Sequence, residues 1–158
     1  MKKLIMAVCL TIVGTAQAST CWKKINRIQQ TTGKQKTNSE LSKYLCVYFT
    51  DIQMMKRAIA ISYLESTWRN IKSKSGDDFG VFQFHTQTIK DMGLDSRYLM
   101  LNLFYQFETF ERFMKHKLAM CKHKAVPEAC WYSATPHRHN KYAKKYTAIM
   151  QIINKEFP

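Results

Sequence analysis

In the run "AIAISYLESTW", Ala58 to Trp68, a single carboxylate follows two turns of largely apolar residues: Glu65. A carboxyl held against apolar and aromatic side chains resists ionisation, because desolvation penalises the charged form. Such a group stays protonated near neutral pH and can serve as a general acid. An ordinary surface glutamate at a helix end has the same local sequence, so Glu65 alone does not decide. Asp77 and Asp78 close the polar loop "NIKSKSGDD" (70–78). Either could act as a second carboxylate that activates water; the preferred reading is that they shape the loop before Gly80. His137 and His139 form an H-x-H pair, with His116 and His123 elsewhere. No acid or cysteine supports them, so a basic, solvent-exposed segment is expected rather than a metal site. The chain has no C-x-x-C, and no metal or organic cofactor is expected. His85 follows Gln83 by two and suits the cleft or a plain turn equally. Arg69, Lys72 and Lys74 flank the loop, where they could attract an anionic substrate or be solvated.

Several elements must position these groups. Three prolines and five glycines in 158 residues favour helices. Residues 19–45 read as polar and irregular, with "TTGKQKTNSE" as a loop and Ser39 and Ser42 as possible caps of a short helix into Cys46. Asp51 can cap the next helix, where Ile52, Met55, Ile59, Ser62 and Tyr63 keep helical spacing. "FGVFQF" (79–84) reads as a small strand or extended turn. Thr86 can cap a helix that stops at Gly93. Arg97 to Lys122 is the longest periodic segment, with an apolar stripe of Leu99, Leu103, Phe107, Phe110, Met114 and Leu118 that Phe104 and Phe113 widen, as in a central helix. A last helix is expected over roughly His139–Lys155, with Tyr142, Tyr146, Ile149 and Ile153 inward. No repeat, linker or low-complexity tract occurs. The class is mainly α, in one domain with at most a tiny β element.

The first residues speak to compartment. Lys2 and Lys3, an apolar run from Leu4 to Val13, and Ala16-Gln17-Ala18 have the charged start, apolar middle and small-residue end of a secretory signal peptide. The apolar core falls short of the roughly 20 residues that span a bilayer. Cleavage after Ala18 would remove Cys9 and leave residues 19–158 as the mature domain, exported to the periplasm or exterior. No later stretch reads as a membrane span. Four cysteines then remain, Cys21, Cys46, Cys121 and Cys130, an even count that in an exported chain reads as two disulfides with three possible pairings. Cys121–Cys130 closes a short local loop and is preferred, which leaves Cys21–Cys46. The formal charge is +14, and loss of Lys2 and Lys3 leaves +12. Such a surface suits an anionic polymer: nucleic acid, lipid or bacterial wall. The signal peptide argues against nucleic acid.

Beyond Glu65 the chain presents an ordered series: Glu65-Ser66, Gly80-Val81-Phe82-Gln83, Trp131-Tyr132-Ser133-Ala134, then Tyr142-Ala143. This series resembles the lytic transglycosylase family of the lysozyme-like (SLT) fold. That family's pattern is Glu-Ser, Gly-Leu-Met-Gln, Ala-Tyr-Asn-Ala-Gly, and a tyrosine often followed by alanine. The interval from Glu65 to Gln83 matches without a gap, with Trp68 in place of a phenylalanine. The resemblance implies that Glu65 is the sole catalytic acid–base, cleaving between N-acetylmuramic acid and N-acetylglucosamine with 1,6-anhydro ring closure. It implies that Ser66 orients Glu65 and that Gly80 lets the backbone pass close to the cleft. Gln83 would bond the sugar or the loop beneath it, Tyr132 would touch the glycan or the glutamate, and Tyr142 would line the floor. Val81-Phe82 replaces Leu-Met and keeps bulk; Ser133 and Thr135 depart from the usual asparagine and glycine.

The expected partner is peptidoglycan. The small size fits a monomer that opens the wall locally for a secretion, conjugation or phage machine. Three rivals stand beside this reading: a lysozyme-type hydrolase using Glu65 with Asp77 or Asp78, a non-catalytic lysozyme-like module that binds glycan or a machine component, favoured by Ser133 and Thr135, and a cationic membrane-active protein.

Overall fold

The computed structural model describes residues 19–32, 38–132 and 136–158. The signal-peptide reading of residues 1–18 and the departures at Ser133 and Thr135 lie outside them.

Residues 19–31 form a first helix, α1, where the sequence suggested irregular chain. Its apolar face is narrow. Ile25 and Ile28 are fully buried, while Lys23 and Arg27 lie outward, so the polar residues hide the helical period. Gln29 is buried with them and accepts from Asn38 N at 2.8 Å while donating to Ser42 Oγ at 3.3 Å. Helix α2 (Ser39–Tyr48) is capped by Asn38, whose side chain accepts from Leu41 N. Ser42, a cap candidate in the sequence, is buried inside the helix and donates to Asn38 O. The Cys21–Cys46 disulfide joins α1 to α2.

Asp51 caps α3 (Ile52–Ser66) by accepting from Gln53 N and Met54 N, as its position predicts. Ala58, Ile59, Ala60, Ile61 and Ser62 are each fully buried. A helix enclosed on consecutive positions lies at the centre of the fold. Helix α3 shares that place with the 97–122 segment, whose stripe is also buried at Leu99, Phe107, Phe110 and Met114. The helix stops where Thr67 and Trp68 turn into positive φ, at 54° and 61°. Trp68 folds back, its indole N–H donating to Ile59 O at 3.2 Å.

The chain then forms a two-residue hairpin, β1 (Asp78–Phe79) paired antiparallel with β2 (Phe84–His85), in register Asp78↔His85 and Phe79↔Phe84. His85, rather than Thr86, caps α4 (Thr86–Asp91) through Nδ1, which accepts from Gln87 N. The long periodic segment is two helices. Helix α5 (Ser96–Leu101) is capped by Asp95, and α6 (Leu103–Met120) by Asn102, whose side chain accepts from Tyr105 N. The apolar stripe crosses this break unaltered, so periodicity could not reveal it. Leu99, Phe107, Phe110 and Met114 are fully buried, but Phe104 remains 40% exposed.

A 3-10 turn (Pro127–Trp131) is tied to the end of α6 by Cys121–Cys130. Both disulfides are those the cysteine spacing favours. Helix α7 (Pro136–Glu156) begins three residues before its predicted start and packs on α3, with Tyr142, Tyr146, Ile149 and Ile153 buried. His139 is buried on this helix and its Nε2 donates to Val126 O at 3.0 Å, so it is not part of an exposed basic segment. Among the described residues no helix is long and apolar enough to cross a membrane. The protein is mainly helical with one minimal sheet.

Candidate active site

Glu65 lies on the last turn of α3 and is only partly exposed. Two lobes of one surface cleft open on it. The first, about 510 Å³, is lined by Asp78, Gln83, His85, Phe113, Trp131 and Tyr132 among others. The second, about 370 Å³, lies along α7. Tyr142 reaches across from α7 and its hydroxyl donates to Glu65 Oε1 at 2.6 Å. Burial raises the carboxyl to about 7, and the charge of Asp78 pushes the same way; the Tyr142 hydrogen bond and Lys145 oppose it. Burial and the Glu65 charge together hold the Tyr142 phenol well above its usual range, so Tyr142 remains a donor.

The donor on Oε1 also bears on where the proton sits. An oxygen that accepts a short phenolic bond suits the carbonyl oxygen of the acid, which favours Oε2 as the oxygen that carries the acidic hydrogen. Replacing Tyr142 by Phe removes a contact that favours the carboxylate. The Glu65 midpoint should then rise further above about 7. Carbon-13 titration of the glutamate carboxyls reads this directly, and a fall in the midpoint would contradict the assigned contact.

Tyr132 lies over Tyr142, rings 5.2 Å apart and parallel to within 6°, and is 56% exposed. Both lobes share it. It offers a flat face at the cleft junction, while Tyr142 beneath it is buried.

The loop between β1 and β2 is held from below. Gln83 adopts a φ of 50° and its Nε2 donates to Ile71 O and Gly80 O, so its amide braces the loop. It also lines the first lobe. Ser66 is buried and makes no hydrogen bond to Glu65 among the described residues. Its Oγ lies 2.8 Å from Val81 O and 3.0 Å from Ser62 O, which share its one hydrogen, and it accepts from Arg69 N, locking the end of α3 to the loop. Ser66 therefore positions the backbone around the acid rather than the carboxylate itself. Gly80 has a φ of 81°, and a Cβ there would run into the side-chain amide of Gln106. Its close approach is thus to α6 rather than to the cleft.

Of the two loop acids, only Asp78 lines the cleft; Asp77 is exposed and uses its backbone carbonyl to hold Thr86. His85 both caps α4 and lines the first lobe. Arg69 and Lys72 turn elsewhere, to Ser66 O and to the Phe79 ring. The cations of the cleft are instead Lys117 of α6 and Arg138, Lys141 and Lys145 of α7, with His137 beside them. Sequence reading missed the lysines and the arginine, although Arg138, Lys141 and Lys145 recur at three- and four-residue spacing beside Tyr142, which marks one helix face.

Beneath the first lobe is an aromatic stack. Phe82 lies on Phe110, centroids 4.3 Å apart, and Trp131 sits 5.1 Å from both Phe110 and Phe113. Among the described residues no group of three His, Cys, Asp or Glu side chains is gathered for a metal ion. Comparison of the chain with family models, curated proteins and solved structures gave no match.

Proposed function

We propose that this protein is an exported lytic transglycosylase of lysozyme-like fold that cuts peptidoglycan strands through Glu65. The observation that carries the reading is the Glu65 carboxyl itself: partly buried, raised to about 7, and gripped by Tyr142 between two open lobes of a cleft. A sugar strand lying across both lobes would place one glycosidic oxygen at Glu65. The protonated carboxyl gives its proton to that oxygen, the C1–O bond breaks, and positive charge develops at C1 of the muramic acid. The resulting carboxylate takes the proton of the same sugar's 6-hydroxyl as O6 bonds to C1. Glu65 ends protonated, no water is consumed, and the product is a 1,6-anhydro sugar. A pKa near the working pH suits a group that must act first as acid and then as base. The ordered series from Glu65 to Tyr142 supports the same reading. The basic surface, +14 over the whole chain, suits the anionic wall.

One observation favours a second chemistry. Asp78 lines the same lobe as Glu65 and lies near enough to raise its pKa. A carboxylate there could activate water, as in two-carboxylate glycosidases. Digestion of purified peptidoglycan by the wild type and Asp78→Asn separates the two. Transglycosylation predicts that the variant keeps its turnover within about threefold, whereas loss of a general base costs about 10²–10⁴-fold. The Glu65 midpoint should fall slightly in Asp78→Asn, because a like charge has gone.

A further inference from the structure

The two lobes that meet at Glu65 differ in charge. The first contains Asp78 as well as Lys117 and Arg138. The second is lined by Leu64, His137, Arg138, Lys141, Lys145 and the two tyrosines, and its only acid is Glu65 itself. Arg138, Lys141 and Lys145 are all exposed, and among the described residues none forms an ion pair. The acids that do form ion pairs among the described residues use other cations: Glu156 pairs with Arg27, Glu111 with Lys115, and Glu128 with Arg57. Three unpaired cations around a concave lobe whose lining holds a single carboxyl make a local excess of positive charge that favours an anion. A flat guanidinium offers two parallel donors to a carboxylate, and flanking ammonium groups add point charge.

We propose that the lobe along α7 is a carboxylate-binding subsite that engages the acidic substituents of the strand while the sugar to be cut sits at Glu65. This rests on the peptidoglycan reading above and adds a requirement to it: the enzyme reads the acid groups carried by muramic acid as well as the sugar backbone. Those groups come from the lactyl ether once the stem peptide is removed, or from the stem peptide itself. Arg138, shared by both lobes, ties recognition of the carboxylate to the position of the sugar.

The test uses Glu65→Gln protein, so that binding is measured without turnover, and three insoluble walls: native, amidase-treated to leave only lactyl carboxylates, and carbodiimide-amidated to remove both kinds. At about 0.15 M salt, where exposed charges are screened beyond roughly 8 Å, binding to the amidated wall should be about tenfold weaker than to native wall. Adding Arg138→Gln with Lys141→Gln should weaken binding to native wall by a similar factor and abolish the distinction. Lys144→Gln with Lys155→Gln, an equal charge loss on the outer side of α7, should leave the distinction intact. Retained discrimination against amidated wall on amidase-treated material assigns the lactyl group; its loss there assigns the stem peptide. Equal binding to native and amidated walls, or equal weakening by the two double variants, overturns the proposal. Carboxylate-dependent binding by a wild type that releases no anhydro sugars would leave the subsite standing and remove the catalytic reading. Anhydro products made equally from native and amidated wall would do the reverse.

Discussion

Glu65→Gln should lower release of soluble wall fragments by on the order of 10³-fold or more, because one group is asked to supply both acid and base. The same substitution should make the protein more stable at alkaline pH. Glu65 titrates near 7 in the folded chain against an ordinary value of 4.5, chiefly because of burial. Its favourable contribution is complete below about pH 4.5 and is lost as pH rises through about 7, where a buried carboxylate must be carried. A neutral amide accepts the Tyr142 hydrogen bond without that cost. At about pH 8 the variant should gain about 2–3 kcal/mol, or about 5–10 °C in Tm for a domain of this size. Near pH 4 the two proteins should melt together. Thermal unfolding across that range checks the sign, and a variant less stable than wild type at pH 8 would contradict the assigned environment. Lost activity with gained stability is the mark of a group kept for chemistry rather than for the fold.

Gln106→Leu should produce the largest loss of stability among single changes near the site. Gln106 is fully buried on α6. Its Oε1 accepts from Val81 N at 2.8 Å, and its Nε2 donates to Asn70 Oδ1 and Leu99 O at 2.9 and 2.8 Å. Leucine fills the space but strands the buried Val81 N–H and the Leu99 carbonyl, each at about 1–3 kcal/mol. The expected cost is about 3 kcal/mol in denaturant titration. The loop 80–83 loses its anchor too, so Gln83 and Phe84 should shift under the first lobe and turnover should fall at temperatures where the variant is folded. A change under about 0.5 kcal/mol would mean that the loop is held elsewhere.

Gln106 also shows where a sequence stops being readable. It sits one residue before Phe107 in the apolar stripe, and a lone glutamine there has no local pattern that names its three partners. Asp51, by contrast, announces its helix because the cap and the first turn are adjacent in the chain. Tyr142 and Tyr146 were legible as inward residues from spacing alone, but the contact of Tyr142 with Glu65 spans 77 positions and only packing of α7 on α3 creates it. The disulfides followed from the even count and spacing of the cysteines. Helix α1 did not, because two buried isoleucines among lysines, arginine and glutamines give a weak period. The break at Asn102 was hidden for the opposite reason: the stripe is strong on both sides of it. The basic face of Arg138, Lys141 and Lys145 lay open in the sequence. It draws meaning only from the lobe that α7 and the end of α3 enclose.

Ring closure by the sugar's own hydroxyl is the central claim, and isotopic water tests it most directly. Purified peptidoglycan digested in H2¹⁸O by the wild-type protein should yield fragments that carry no ¹⁸O and are each lighter by one water than a reducing-end sugar. Incorporation of one ¹⁸O per cut at a reducing end would show hydrolysis and contradict transglycosylation at Glu65.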